Sequence, residues 1–271
     1  MRGHGWGRTL YENPKKALVL TLKSRFARVL TGTLLMLLSV PVTHGVSETS
    51  PGPQVPPSAV PAGTSVEAQP ENITSAIDLT SAEAAGVSPD VLTLALQAIR
   101  CGTASGEIEA PPTLTLIDYS KPSVEPRLWV FDLASGELLF TELVAHGRNT
   151  GENMATAFSD TLNSRQSSIG LFVTGDTYVG SNGYSLRMDG LEPGFNAQAR
   201  ERAIVMHGAP YVSQEFAARQ GRLGRSWGCP ALREAVARDV IDTVDGGGVV
   251  FSYYPDAEWL ASSRFLNGCS A

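Results

Sequence analysis

Cys229 stands in the run Gly224-Arg225-Ser226-Trp227-Gly228-Cys229-Pro230, 22 positions after His207 in Val205-Met206-His207-Gly208-Ala209-Pro210. A cysteine and a histidine can act together as nucleophile and base: the thiolate attacks a carbonyl, the imidazole manages the proton, and backbone N–H groups receive the oxyanion. Gly228 removes bulk beside the sulfur, and Pro230 predicts a helix start whose free N–H groups lie next to it. Free cysteine is more often a buried structural thiol or half of a disulfide. Here a glycine, a tryptophan and two arginines crowd around one cysteine, which is poor core filler but a reasonable electropositive cleft. Of the four histidines, His4 and His44 fall in a segment expected to be removed or peripheral, which leaves His207 and His146.

That segment bounds the compartment. Arg25 and Arg28 precede an apolar run of 14 residues, Val29 to Val42, and Thr43-His44-Gly45 offers small residues for cleavage. It reads as a secretory signal with a long basic leader, the alternative being an uncleaved anchor; no cysteine follows it to take a lipid. Residues 1–45 hold 7 of the 21 Lys+Arg and 1 of the 27 Asp+Glu, so the remainder carries 14 basic against 26 acidic residues, a net charge of −12. Lys121 is the only lysine left. Such a chain is a poor partner for nucleic acid or for an anionic membrane surface. Contact with a membrane is expected only through an uncleaved signal segment. Residues 46–79, rich in Pro, Ser and Thr, read as a disordered linker.

Three cysteines in an oxidising space leave one unpaired. Cys101 and Cys269 could tie the C-terminal tail to an N-terminal helix and leave Cys229 free; three separate thiols are the alternative.

The elements that must position the pair follow from periodicity. Ser88-Pro89-Asp90 opens a helix whose apolar stripe runs to Cys101-Gly102. Seven short β-branched or aromatic runs follow: Leu114–Ile117, Leu128–Leu133, Leu138–Val144, Ile169–Val173, Ser185–Leu191, Ala203–Met206 and Val249–Tyr253. A second helix is expected over Ala231–Val244, stopped by Asp245-Gly246-Gly247-Gly248. The fold class is mainly β, mixed and mostly antiparallel, with a few flanking helices.

These residues resemble the murein L,D-transpeptidase catalytic family (YkuD-like), in the subfamily with tryptophan in the turn. The resemblance is carried by His146-Gly147-Arg148, Ser167-Ser168-Ile169-Gly170, Tyr184–Leu191, Gly194-Phe195-Asn196, His207–Ser213 and Gly221–Pro230. It implies a β-sandwich or barrel-like catalytic domain over 113–255, with a helical lead-in at 80–112 and a C-terminal tail at 256–271. It also implies that Cys229 is acylated, that His207 is its base and that the Gly208 carbonyl orients the imidazole. The N–H groups of Gly228 and Cys229 would then hold the oxyanion. The substrate implied is a peptidoglycan stem tetrapeptide that loses D-alanine to form a thioester. The acceptor would be an amine of a second stem peptide, a D-amino acid or a protein lysine, or water in a carboxypeptidase; no cofactor or metal is needed.

Most members carry histidine where Trp227 stands, so a second imidazole would have to come from His146, for which a structural hydrogen bond in its Gly-rich loop is the competing reading. The interval from His207 to Cys229 is also long for the family, which predicts an extra loop at Gln214–Arg222 over the site. Arg222 and Arg225, and less strongly Arg187, could meet stem-peptide carboxylates. Tyr184, Tyr211, Tyr178 and Trp227 could wall the cleft. A zinc hydrolase built on His146, His207 and Cys229, and a non-catalytic wall-binding domain, are the alternatives from other classes. A catalytic thiol is expected to alkylate well below its ordinary pKa of about 8.5.

Overall fold

The computed structural model describes residues 77–269; the predicted export segment and nearly all of the predicted linker lie outside them. Helix α1 (Leu79–Ala84) starts where Asp78 accepts the Thr80 N–H at 2.9 Å. Helix α2 (Pro89–Ala104) has Ser88 at its N-cap and proline in its first turn, and buries Val91, Leu92, Ala95, Leu96 and Ile99. It runs beyond the expected Cys101-Gly102 stop. Among the described residues, no helix is long and apolar enough to cross a membrane.

Nine strands form one sheet: β1 (Thr113–Asp118), β2 (Leu128–Asp132), β3 (Leu138–Glu142), β4 (Val144–Ala145), β5 (Gly170–Gly180), β6 (Gly183–Gly190), β7 (Val205–Gly208), β8 (Ala231–Leu232) and β9 (Val249–Tyr253). Their order is β3-β2-β1-β9-β5-β6-β7-β8-β4, with β1–β9 and β7–β8 parallel and the other pairs antiparallel. The expected class is the observed one. All six residues of β1 are buried because both faces of the sheet are covered. Period-2 alternation sends Leu114 and Leu116 into a core shared with α2 and Trp259, and Ile117 into a second core. Helix α4 (Glu234–Val244) seals the second core with Ala237, Val240, Ile241 and Val244.

The expected single strand Leu138–Val144 is two strands. β3 and β4 are the two edges of the sheet, yet only Leu143 separates them, so the chain steps from one edge to the other and the sheet curls into a nearly closed barrel. Arg127 fastens that seam. Its fully buried guanidinium donates to Val144 O from Nε (3.1 Å) and Nη2 (2.8 Å), and to Lys121 O from Nη1 (2.9 Å).

Three further expectations change. No helix begins at Pro230: Ala231-Leu232 becomes β8, inserted between β7 and β4, and α4 starts only at Glu234. The expected loop at Gln214–Arg222 contains α3 (Gln214–Gln220), capped by Ser213 accepting the Phe216 N–H at 3.1 Å and ended by Gly221 at φ 67°. The expected tail folds into α5 (Ala257–Ser262) and α6 (Arg264–Asn267), which bury Trp259, Phe265 and Leu266 against α2 and the sheet. Trp259 Nε1 donates to the buried Glu192 carboxylate at 2.9 Å. Cys101 and Cys269 form a disulfide, with Cα atoms 5.4 Å apart.

Candidate active site

Strand register fixes the position of His207 relative to the cysteine turn. In the parallel pair β7–β8, His207 lies opposite Ala231, and its N–H reaches Pro230 O at 3.4 Å. Cys229 lies two residues before Ala231, in the turn that leads into β8. Cys229 is the free cysteine and is buried.

The turn before it is closed by short hydrogen bonds. Ser226 Oγ donates to Cys229 O at 2.6 Å and accepts the Gly228 N–H at 3.1 Å. Ser167 Oγ donates to Gly228 O and accepts the Gly147 N–H, both at 3.0 Å. Gly228 sits at φ 127°, and a Cβ there would come within 2.7 Å of Gln166 O. Glycine is therefore required by conformation and by space. The Gly228 N–H, expected to face the oxyanion, is held by Ser226. The backbone donors beside the sulfur are those of Val205 and of Cys229 itself.

His207 Nδ1 lies 2.9 Å from Gly208 O. A carbonyl only accepts, so Nδ1 carries the proton and Nε2 keeps its lone pair. Sγ contacts Ala203 O at 3.6 Å, and among the described residues no hydrogen bond joins it to the imidazole. Burial pushes the Cys229 thiol above its ordinary value, and the Val205 N–H and the Arg202 charge oppose this without cancelling it. Burial likewise pulls His207 below 6.5, with the Gly208 hydrogen bond acting the other way. Near pH 7 both groups are thus neutral at rest, against the expectation of a thiol reactive well below its ordinary pKa. Alkylation of Cys229 by iodoacetamide, followed by mass spectrometry across pH 6 to 10, should be slow at neutral pH and still rising at about pH 9; a plateau below pH 7 would refute the assignment.

Comparison with family models matches residues 83–253 to the L,D-transpeptidase catalytic domain. The chain belongs to this family. The match runs from α1 to the end of β9 and contains both Cys229 and His207. Comparison with curated proteins finds no match. Similar solved structures include an L,D-transpeptidase from Mycobacterium smegmatis, at 15% identity over 53% of this chain and 59% of that one, TM-score 0.34. Another is from Mycobacterium tuberculosis H37Rv, at 15% identity over 53% and 58%, TM-score 0.35. A third is from Stackebrandtia nassauensis, at 13% identity over 64% and 74%, TM-score 0.33. The chain spans less than two thirds of the length of the first two.

In this L,D-transpeptidase domain Trp227, 67% exposed, stands between two cavities. One, of about 270 Å³, brings Arg222, Arg225, Tyr211 and Trp227 together with Arg148 and Phe216. Burial, then the nearby Cys229, pushes the Tyr211 hydroxyl up to about 12. The other cavity, of about 380 Å³, is lined by Asn149, Leu162, Asn163, Arg165, Arg202 and Trp227, with the Arg165 guanidinium 4.6 Å from the indole centre. Asn163, Arg165 and Ala203 have φ of 61°, 56° and 53°. Left-handed non-glycine backbone thus gathers around this cleft, as it does at functional sites.

Other candidates are engaged elsewhere. Tyr184 donates to Asp242 of α4 beneath Arg238, and Arg187 lies over Tyr178. His146 is 1% exposed, its Nδ1 accepting from Arg127 at 2.8 Å and its Nε2 lying 3.4 Å from Gly151 O. It helps Arg127 hold the barrel seam and leaves no ring nitrogen for substrate. Among the described residues no group of three His, Cys, Asp or Glu is placed to hold a metal.

Burial, reinforced by the Arg127 charge, lowers the His146 pKa from 6.5 to about 4. A depressed folded pKa contributes stability that is complete above pH 6.5 and lost as pH falls toward 4, about 3 kcal/mol for 2.5 units. Urea unfolding at pH 7 and pH 4 should show this loss, and His146→Gln should flatten it.

Arg202 escaped the sequence reading. Its Nη1 donates to Ser159 O and its Nη2 to Gln166 O, both at 2.6 Å, and it approaches Asp160 at 3.7 Å with its side chain 2% exposed. In Arg200-Glu201-Arg202 it looks like one more solvated charge, and nothing local marks it as buried beside the sulfur.

Proposed function

We propose that the domain is a cysteine-dependent L,D-transpeptidase acting on peptidoglycan stem tetrapeptides. The observation that carries this is the free, buried thiol of a family-matched domain, set in a Ser226-closed turn, in a chain whose His207 keeps Nε2 unprotonated. Cys229 gives its proton to His207 Nε2 as the sulfur attacks the carbonyl at the L centre of the stem diamino acid. The oxyanion takes the Cys229 N–H, and the Gly228 N–H where Ser226 releases it. As the tetrahedral adduct collapses, the amide C–N bond breaks, a thioester forms and D-alanine leaves as an amine carrying the proton held by His207. An acceptor amine then attacks the thioester, forming a new amide and returning the thiol; water in its place gives a carboxypeptidase.

Neutral groups at rest suit this sequence, because proton transfer coincides with attack and no ion pair has to be desolvated beforehand. The Cys101–Cys269 disulfide and the apolar Val29–Val42 run support a site in the periplasm or cell envelope. The test is incubation of the protein with defined muropeptides, with and without an acceptor stem, and mass analysis of products beside Cys229→Ala. Loss of D-alanine with a thioester-mass adduct on Cys229 is expected; release of D-alanine by the alanine variant would refute the mechanism.

A further inference from the structure

Glu152, on the loop between β4 and β5, spans the two arginines of the smaller cavity. Its Oε2 is 2.8 Å from Arg222 Nε and its Oε1 is 2.6 Å from Arg225 Nη1. The two sides of this contact differ. The arginine side chains are 24% and 20% exposed and are anchored by backbone: Arg222 Nη1 donates to Leu223 O at 2.9 Å, and Arg225 Nη1 to Gly151 O at 3.0 Å and Arg148 O at 3.2 Å. The Glu152 side chain is 72% exposed. Two guanidinium groups are therefore held in place for a carboxylate, while the carboxylate they now hold is free to swing into water. Arg148 adds a third positive charge to the same wall, so the cluster keeps a positive excess even with Glu152 in place.

We propose that Glu152 is a resident competitor in a carboxylate-binding subsite, which a free carboxylate of the stem peptide enters by displacing it. The identity of that carboxylate rests on the proposed function; the subsite itself rests on the geometry. An exposed ion pair contributes little, so displacement is easy, and the incoming group inherits guanidinium donors already fixed and partly shielded from water. Trp227 walls the cavity two residues before Cys229, so a peptide held here by its carboxylate lies along the approach to the turn.

The test is NMR of the arginine Nε–H signals in the full chain, titrated with N-acetyl-D-alanine and separately with its amide. The acid should shift Arg222 and Arg225, the amide should not, and the effect should weaken with salt. Glu152→Gln should tighten acid binding roughly two- to fivefold, the worth of one exposed ion pair. Absence of a shift in the Gln variant, or equal shifts with acid and amide, overturns the subsite. Failure here while muropeptides still acylate Cys229 removes the subsite alone. Acid binding without any acylation of Cys229 leaves the subsite standing and removes the proposed function.

Discussion

Cys229→Ala is expected to lower stem-tetrapeptide turnover by roughly 10⁴-fold or more, the scale seen when an enzyme loses its covalent nucleophile. The other two cysteines are joined to each other, so no second thiol can substitute. The fold should survive, because the hydrogen bond that Sγ donates is a long one, to Ala203 O at 3.6 Å, and alanine keeps the backbone of the turn. Thermal unfolding should therefore move by no more than about 1 kcal/mol, which separates a catalytic loss from an unfolded variant. His207→Gln should cost roughly 10² to 10⁴ in turnover, the range of a general base. It should leave slow alkylation at high pH nearly intact, since the resting thiol does not depend on the imidazole for its protonation state. A fall in both together would mean that the pair is an ion pair at rest. Measured kcat/KM for the three proteins, beside the alkylation profiles of the two that keep the thiol, decides the matter.

Much of this arrangement is legible in the sequence because its signals are local. The Ser88-Pro89 cap, the alternating runs that became β1, β2, β6 and β9, and the Gly-rich stop after Val244 each need only a few neighbouring residues. The turn glycine stands out in the sequence by its lack of bulk beside the cysteine, and its φ of 127° adds a conformational reason that only the structure shows. What escaped depends on distant partners. A run such as Leu138–Val144 has one continuous pattern, and nothing within it shows that the two edges of a curled sheet meet at Leu143. Ala231-Leu232 carries the apolar character of a helix start, and only the space between β7 and β4 makes it a strand. For α3, Ser213 and Gly221 are ordinary start and stop signals, yet Gln214–Gln220 contains no apolar stripe and buries none of its residues. Arg202 shows the cost of reading chemistry by residue type, whereas the structural hydrogen bond weighed for His146 is the one found. The rare histidine is spent on the barrel seam, and the commonplace arginine lies next to the thiol.

Breaking the Cys101–Cys269 bond is expected to have the largest effect on stability. The bridge closes 168 residues, for which the chain-entropy relation gives about 5 kcal/mol, against a typical measured range of roughly 2 to 5. The native contacts at this end decide where in that range the value falls. Trp259, Phe265 and Leu266 are buried, Gln97 Nε2 donates to Leu266 O at 2.6 Å, and Arg264 pairs with Glu107. These hold α6 against α2 without the bridge, so reduction should act chiefly on the unfolded chain and leave turnover at 25 °C unchanged. Urea unfolding of the Cys101→Ser, Cys269→Ser double variant should therefore show a midpoint lowered by the equivalent of at least about 2 kcal/mol with an intact active site. Hydrogen exchange distinguishes the remaining possibility. If the contacts around Trp259 were too weak to hold the terminus alone, α5 and α6 would open as a unit, and protection would vanish there while the β1–β9 pair stayed closed. An unchanged midpoint would mean that the bridge does not form in the folded protein, and would remove with it the support it lends to an oxidising compartment.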